Sequence, residues 1–429
     1  MSETPPVIII RGNDICYLGI LRSCYEANIP CIAVHYSWEG ASTWYSDASK
    51  YKPPIISIPN PFSDPKLAIE ILRTELRALS MKWGQKLLVL PSTDTNYMFV
   101  LDYYEYLKDF IFLMGARDFG KPRYDVVHKA ECADLLSEFM PENVPITFRC
   151  NSLEQIDKVI NEMVYPAVYK PAVKDYGQTF YRLHDGNKAI ECEDATTLRK
   201  QLKVEVKRGF DLIVQEKIIF DSVYDEIPFY LYANELGDIT MAANGIKEII
   251  EPFPYGTAIA LRLAWRPDLL ELAKRVVSAL SYRGILMIEF VKDQKDGRWK
   301  IIEINPRHWL FNGFYQRVGL NFSEALYHDI YYSNPDGEPI RISTDKTMKE
   351  NHVHVDLAEL ISHFKAKCPT EYDVMKFLGD LKKIRGRMSS TYLSMADPDP
   401  GIIQMRDAAK KHGWVELIDI KGKNVSNRF

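Results

Sequence analysis

Two carboxylates, an amide and a guanidinium crowd into one short part of the chain. Glu289 lies in the apolar run GILMIEFV, and Glu303, Asn305 and Arg307 follow in KIIEINPRHWL. Asp296-Gly297 between the runs is a hairpin turn signal. If the hairpin turns at 294–298, Glu289 lies opposite Glu303, and Asn305, two residues on, shares their face. Like charges so placed repel, and burial makes the conflict worse. A divalent cation resolves it. Oxygen donors of this kind suit Mg²⁺, which completes its shell with waters and nucleotide phosphates; Mn²⁺ is the alternative. Arg307, just past the strand, could neutralise a transferring phosphoryl group or its acceptor. The competing reading is the wet face of an ordinary hairpin, shared with Lys292, Arg298 and Lys300. Glu289 inside an apolar run argues against that reading.

Lys170 adds to the set. It sits in AVYKPAV, and a lysine in an apolar strand needs a partner or a long reach to water. A nucleotide phosphate is such a partner. Lys129 heads an amphipathic helical pattern, where a solvated lysine is the commoner case. His128 and His308 are single histidines and read as structural.

The elements that must position these residues alternate. Val7 to Ile10 is an apolar strand broken by Arg11-Gly12-Asn13-Asp14. A helical pattern and a second strand, Cys31 to His35, follow. This is the opening of a parallel sheet. Gly12 is either a tight turn or part of an anion site at the helix start. A helix from Pro65 to Met81 and a strand from Lys86 to Leu90 continue the alternation. That strand ends at Ser92-Thr93-Asp94, where open α/β sheets hold ligands. Beyond residue 120 come the Lys129 helix, the Lys170 strand, the strand GFDLIVQEKIIF and the carboxylate hairpin. The turn cluster Asn334-Pro335-Asp336-Gly337 marks a boundary. Helical patterns follow over Val355 to Lys367, Tyr372 to Ile384 and Ile402 to His412. The layout is therefore 1–120, 121–335 and 336–429, the last mainly helical.

The totals bound the answer. The 429 residues allow two or three domains. A net charge of −4 gives no nucleic-acid footprint. The seven cysteines lack disulfide or metal spacing and read as reduced thiols. The N-terminus MSETPPVIII has no basic region of a signal peptide, and no apolar run approaches the ~20 residues that span a bilayer. A cytoplasmic protein with no membrane span is expected.

The order Lys129, VYKPAV, IVQEKII, GILMIEF, EINPR resembles the ATP-grasp superfamily over roughly residues 5 to 330. The likeness is greatest to its carboxylate–amine ligase branch, which includes D-aspartate ligase and carbamoyl-phosphate-synthase-like proteins. The resemblance implies an α/β fold with an α+β lid, an N-terminal parallel pre-ATP-grasp domain and a helical C-terminal extension. It implies that Lys129 and Lys170 hold the ATP phosphates. Gln215, Glu216, Lys217 and Ile219 form the hinge strand against adenine, and Asp225 or Glu226 takes the ribose. Glu289, Glu303 and Asn305 bind Mg²⁺, and Arg307 faces the γ-phosphate and the acyl phosphate. Lys188 and Lys247 match basic positions of the same branch. The stretch after the Lys170 strand departs from the pattern. It has only Gly177 where many relatives carry a glycine-rich loop, with Lys174, Gln178 and Thr179 as side-chain donors instead.

The implied activity is ATP-dependent amide formation from a small carboxylate and an amine through an acyl phosphate, releasing ADP and phosphate. A lid over roughly residues 142 to 215 would exclude water, and Arg262 is a candidate for the substrate carboxylate. A kinase or carbamoyl-phosphate-type enzyme and a non-catalytic ATP-binding module are the alternatives. In the last segment, Lys382, Lys383, Arg385 and Arg387 form a solvated basic face, a docking patch for an acidic or membrane-bound precursor, or part of a homodimer interface.

Overall fold

The structure, a computed structural model, describes residues 4–36, 44–119, 123–173, 179–220, 222–251, 256–332, 341–342, 352–367 and 388–411. The first sheet holds β1 (Val7–Ile10), β2 (Cys31–Tyr36), β3 (Ile55–Ile58), β4 (Leu87–Pro91) and β5 (Ile111–Leu113). Its order is β3-β2-β1-β4-β5 and every pairing is parallel. Strands β1 and β4 are buried throughout, as a parallel sheet covered on both faces requires. Helix α1 (Asp14–Glu26) follows β1, α2 (Pro65–Trp83) precedes β4, and α3 (Asp94–Asp102) leaves its end. Thr93 caps α3 by accepting from the Asn96 amide at 3.1 Å.

The next body is a four-stranded antiparallel sheet. It contains β7 (Thr147–Cys150), β8 (Ala167–Pro171), β9 (Ile190–Cys192) and β10 (Leu212–Glu216), in the order β7-β10-β8-β9. A short strand, β6 (Gly115–Ala116), precedes it. The sheet and its helices Leu153–Glu162 and Ala195–Lys207 close around their own core, with Ile156, Tyr169, Phe180, Leu198 and Val214 at its centre. It spans most of the expected lid.

The largest sheet carries the chemistry. Its order is β15-β14-β11-β12-β13-β17-β18. The strands are β11 (Glu226–Ala233), β12 (Ile239–Glu251), β13 (Thr257–Ala264), β14 (Tyr282–Lys292), β15 (Trp299–Asn305), β17 (Val353–Val355) and β18 (Met388–Ser390); β16 (Arg341–Ile342) pairs with β12. The β14–β15 hairpin is the one the sequence predicts, with Gly297 in the left-handed region at φ 72°.

The C-terminal segment has helices Leu357–Lys367 and Asp399–Lys411, matching two of the three expected patterns. The third, at 372–384, the boundary cluster 334–337 and the basic residues 382–387 lie outside the described residues. The segment also adds β17 and β18 to the sheet edge. Each is three residues long, too short for a period to be read from sequence.

The segment is clamped to the first helix. Arg22 donates through Nε to Asp397 Oδ2 at 2.9 Å and through its terminal nitrogens to the carbonyls of Thr391, Tyr392 and Asp397. Asp397 also accepts from Ser49 Oγ and the Lys50 amide, each at 2.8 Å. Both charges are almost wholly buried and hydrogen-bonded, as a buried pair must be.

Candidate functional site

In the β14–β15 ladder Glu289 pairs directly with Glu303, and Met287 with Asn305. Directly opposed side chains have Cβ atoms about 4.5–5.5 Å apart, so the two carboxylates face one another. The register shifts after Glu289, so that Phe290 pairs with Ile301 and Ile302 becomes the extra residue of a bulge. The bulge has a consequence for Lys170. Its ammonium donates to the Ile302 carbonyl at 3.0 Å. Burial pushes the Lys170 ammonium below its ordinary pKa, against the pull of Glu303, Glu289 and Glu226.

Two more lysines reach the same carboxylates. Lys129, first residue of the helix Lys129–Phe139, lies 3.9 Å from Glu303 Oε1 and donates to the Pro171 carbonyl at 3.2 Å. Lys247 on β12 bridges Glu226 Oε1 at 2.5 Å and Glu289 Oε1 at 3.2 Å. Burial disfavours its charge, but Glu289 and Glu226 outweigh burial and hold its pKa above the ordinary value. Glu226 is therefore a member of the carboxylate cluster. Asp225, its neighbour and the other candidate for ribose, is less buried. Lys300, grouped with the wet hairpin positions, is instead buried. Its ammonium donates to the Glu142 carbonyl at 2.9 Å and pairs with Asp296 at 3.0 Å.

Arg307 is committed to an acid of the first sheet. Its Nε donates to Asp94 Oδ1 at 2.5 Å and Nη2 to Oδ2 at 2.8 Å. Nη2 also reaches Asn305 Oδ1 at 3.0 Å, and Nη1 the His308 carbonyl at 2.7 Å. Burial opposes the charge, yet Asp94 outweighs it and keeps the guanidinium protonated. His308 has a structural place, with Nε2 2.9 Å from Ser323 Oγ and a pKa pushed down to about 3 by burial and by Arg307. Asp94 is the first residue of α3, at the end of β4, so the strand end singled out in the sequence does meet the hairpin.

A cavity of about 740 Å³ runs from the Glu289–Glu303 pair to the ends of β1 and β4. Asn305, Arg307, Lys247 and Lys188 line it, as do Gly12 to Cys16 and Ser92 to Thr95. Gly12 sits in a close-packed bend. Its amide and that of Asn13 donate to Ser92 Oγ at 2.8 and 3.1 Å, and a Cβ there would collide with the Asn96 side chain. Asn13 then caps α1 through the Cys16 amide at 2.9 Å. Arg262 is not in this wall. It pairs with Glu248, while Leu261 beside it faces the cavity.

The residues matched to adenine and phosphate lie outside this lining and gather on the lid side. Gln215 and Glu216 end β10, next to the Lys170 strand. Gln215 Nε2 donates to Thr147 Oγ1 at 2.9 Å and Glu216 accepts from the Ile146 amide at 3.0 Å. Lys217 pairs with Glu191, and the Ile219 carbonyl accepts from the Gln294 amide at 2.9 Å. Residues 174–178, with Lys174, Gly177 and Gln178, lie outside the described residues; Thr179 begins a short helix.

Asp211 ties the four-stranded sheet to the helix that carries Lys129. It accepts from both ends of the Arg149 fork and lies 3.4 Å from His128 Nε2. Burial raises its pKa, but His128 and Arg149 outweigh burial and hold it down at about 2, below the ordinary 3.8. A folded-state pKa below the unfolded value gives stability that is present above about pH 4 and lost as pH falls towards 2. Hydrogen exchange of β10 and of the Lys129–Phe139 helix should therefore accelerate across that window. Asp211→Asn should remove the step. An unchanged profile in the variant would show that the contact does not hold the sheet to the helix.

Among the described residues no three or more His, Cys, Asp or Glu side chains form a metal cage. Two facing carboxylates beside an amide oxygen nevertheless fit Mg²⁺, which takes one or two carboxylates from protein and the remainder from water and phosphate. Among the described residues no helix is long and apolar enough to cross a membrane.

No family model matches the chain, and no curated protein sequence matches it. Solved structures do. Biotin carboxylase from Campylobacter jejuni, solved with β-γ-ATP, is 17% identical with a TM-score of 0.55, covering 79% of this chain and 74% of that one. The biotin carboxylase domain dimer of Hydrogenobacter thermophilus 2-oxoglutarate carboxylase, solved with MgADP, ADP and bicarbonate, is 16% identical with a TM-score of 0.54. It covers 82% of this chain and 74% of that one. N5-carboxyaminoimidazole synthetase from Staphylococcus aureus, solved with ADP, is 13% identical with a TM-score of 0.52, covering 74% of each chain. At these identities the likeness is one of fold. The chain has the ATP-grasp fold, an α/β architecture with a parallel first sheet followed by antiparallel sheets.

Proposed function

We propose that this chain, with its ATP-grasp fold, is an ATP-dependent carboxylate–amine ligase that makes an amide bond through an acyl phosphate. The observation that carries the reading is the Glu289–Glu303 pair, ringed by Lys129, Lys170 and Lys247, at the end of a cavity that reaches Arg307 and the first sheet. ATP would lie on the lid side. Gln215, Glu216, Lys217 and Ile219 would flank adenine, and Lys129 and Lys170 would hold the phosphates. Ribose falls to Asp225, because Glu226 is taken by Lys247. Glu289, Glu303 and Asn305 would hold Mg²⁺, with Mn²⁺ as the alternative, and the ion supplies charge neutralisation to the phosphate oxygens.

A carboxylate oxygen of the acid attacks the γ-phosphorus, and the bond to the β–γ bridging oxygen breaks, so ADP leaves. Arg307 stabilises charge on the transferred group. An uncharged amine nitrogen then attacks the acyl carbon; phosphate departs with the bonding pair, and the nitrogen gives up a proton. Water would hydrolyse the acyl phosphate, so the separate core of the lid sheet suits a body that closes over it. The soluble substrates would be amino-acid or peptide-like acids and amines. The solved dimeric relative makes a homodimer a companion proposal.

Phosphate release from Mg-ATP is the test, across a matrix of acids, bicarbonate among them, and amines. Release that requires both an acid and an amine and yields ADP supports the ligase. Release with an acid or an alcohol alone replaces it with a kinase. ATP binding with no turnover across a broad matrix would leave a nucleotide-binding module.

A further inference from the structure

The cavity has two chemically different walls. One is the charged cluster. The other is formed by Ile15 of α1, Leu261 of β13, Met287 of β14, and Leu310 and Phe311 just beyond Arg307. Tyr230 and Trp309 line it as well, stacked with centroids 4.1 Å apart, and Trp309 is held edge-on by Phe322 at 4.9 Å. The second wall is therefore apolar and rigid. Of the four cations in the lining, Arg307 is forked onto Asp94 and Lys247 bridges Glu226 and Glu289, while Arg182 and Lys188 come from the 142–215 segment.

We infer that the acid substrate carries an uncharged apolar side chain of leucine or phenylalanine size, seated against Leu261, Met287, Leu310 and Phe311. The inference rests on the ligase reading and deepens it. Met287 of this wall pairs in the ladder with Asn305, and Leu310 follows Arg307 by three residues, so an acid whose carboxylate meets the transferred phosphoryl group would lay its side chain there. An acidic side chain seated against Leu261, Met287, Leu310 and Phe311 would give up water to an apolar surface. An apolar one leaves water for a surface that matches it.

The experiment uses the full chain with Mg-ATP and hydroxylamine, which traps an acyl phosphate as a hydroxamate without the natural amine. Glycine, alanine, leucine, phenylalanine, lysine and aspartate are the acids, and binding of each in Mg-ADP is followed in parallel by thermal shift. Leucine or phenylalanine should exceed alanine roughly 10- to 100-fold in kcat/KM, and aspartate by about 100-fold or more. Leu310→Lys should move the leucine-to-aspartate ratio at least about tenfold towards aspartate. Leu310→Ala, the milder change, should lower the leucine-to-alanine ratio and serves if the lysine variant does not fold. Aspartate or lysine equal to leucine overturns the inference and leaves the ligase standing. If no acid gives hydroxamate but leucine and phenylalanine bind and Leu310→Lys abolishes it, the pocket stands and the ligase reading falls. Binding indifferent to side chain, with no turnover, overturns the inference as well.

Discussion

Glu303→Ala should lower ATP-dependent phosphate release roughly 10³-fold or more while the protein stays folded. The size follows from the geometry. Glu303 faces Glu289 across the ladder, and Lys129 lies 3.9 Å away. In the proposed site this pair would hold a metal and its phosphate contacts, which would supply several kcal/mol of charge stabilisation, and each 1.36 kcal/mol is tenfold in rate. Folding is spared because the side chain is partly exposed and its loss leaves Lys129 its bond to the Pro171 carbonyl. The thermal shift produced by Mg-ADP should shrink together with the activity, whereas the ligand-free Tm should stay close to that of the parent. Retention of more than about a tenth of the activity would remove Glu303 from the metal site. Collapse of the ligand-free Tm would make its role structural.

Asp94→Ala should destabilise the protein by about 3–5 kcal/mol, the usual cost of stripping one partner from a buried ion pair. Arg307 is buried, with Asp94 accepting from both Nε and Nη2 along one edge of its guanidinium, and burial already works against its charge. Four of its five N–H groups are engaged, by Asp94, Asn305 and the His308 carbonyl. The unpaired cation left in Asp94→Ala has nowhere to go. Replacing both partners with apolar groups of similar volume, Asp94→Leu with Arg307→Met, should recover most of the loss because no charge is then left buried. Denaturant unfolding of the two single variants and the double gives the coupling. A cost below about 1 kcal/mol for Asp94→Ala would show that the pair is solvated in solution.

How far the sequence carried depended on the distance over which each feature is decided. The facing of Glu289 and Glu303 needed only period-two alternation and an Asp-Gly turn, both local. The bulge at Ile302 is equally local but leaves no pattern in residue types, so the landing site of Lys170 could not be read. Lys300 departs from the wet position its neighbourhood suggests because its partners, the Glu142 carbonyl and Asp296, include one 158 residues away. Arg307 and Asp94, 213 residues apart, were each singled out, yet nothing in either neighbourhood announces their fork. The apolar cavity wall was invisible for the same reason. Its residues come from α1, β13, β14 and the segment after Arg307, and each alone looks like ordinary core.

The Arg22 clamp sets a schedule. Its two charges are separated by 375 residues, so at about 5–20 residues per second the ribosome needs roughly 20–75 seconds between them. Tyr392, whose carbonyl Arg22 holds, is part of the cavity wall. One face of the first sheet likewise shares a core with Trp309, Phe314, Tyr315 and Tyr327. Helix α1 thus emerges with a cation and an apolar surface whose partners are made up to 375 residues later. Chaperone occupancy at α1 during synthesis is the expected counterpart of a cavity whose wall includes Tyr392.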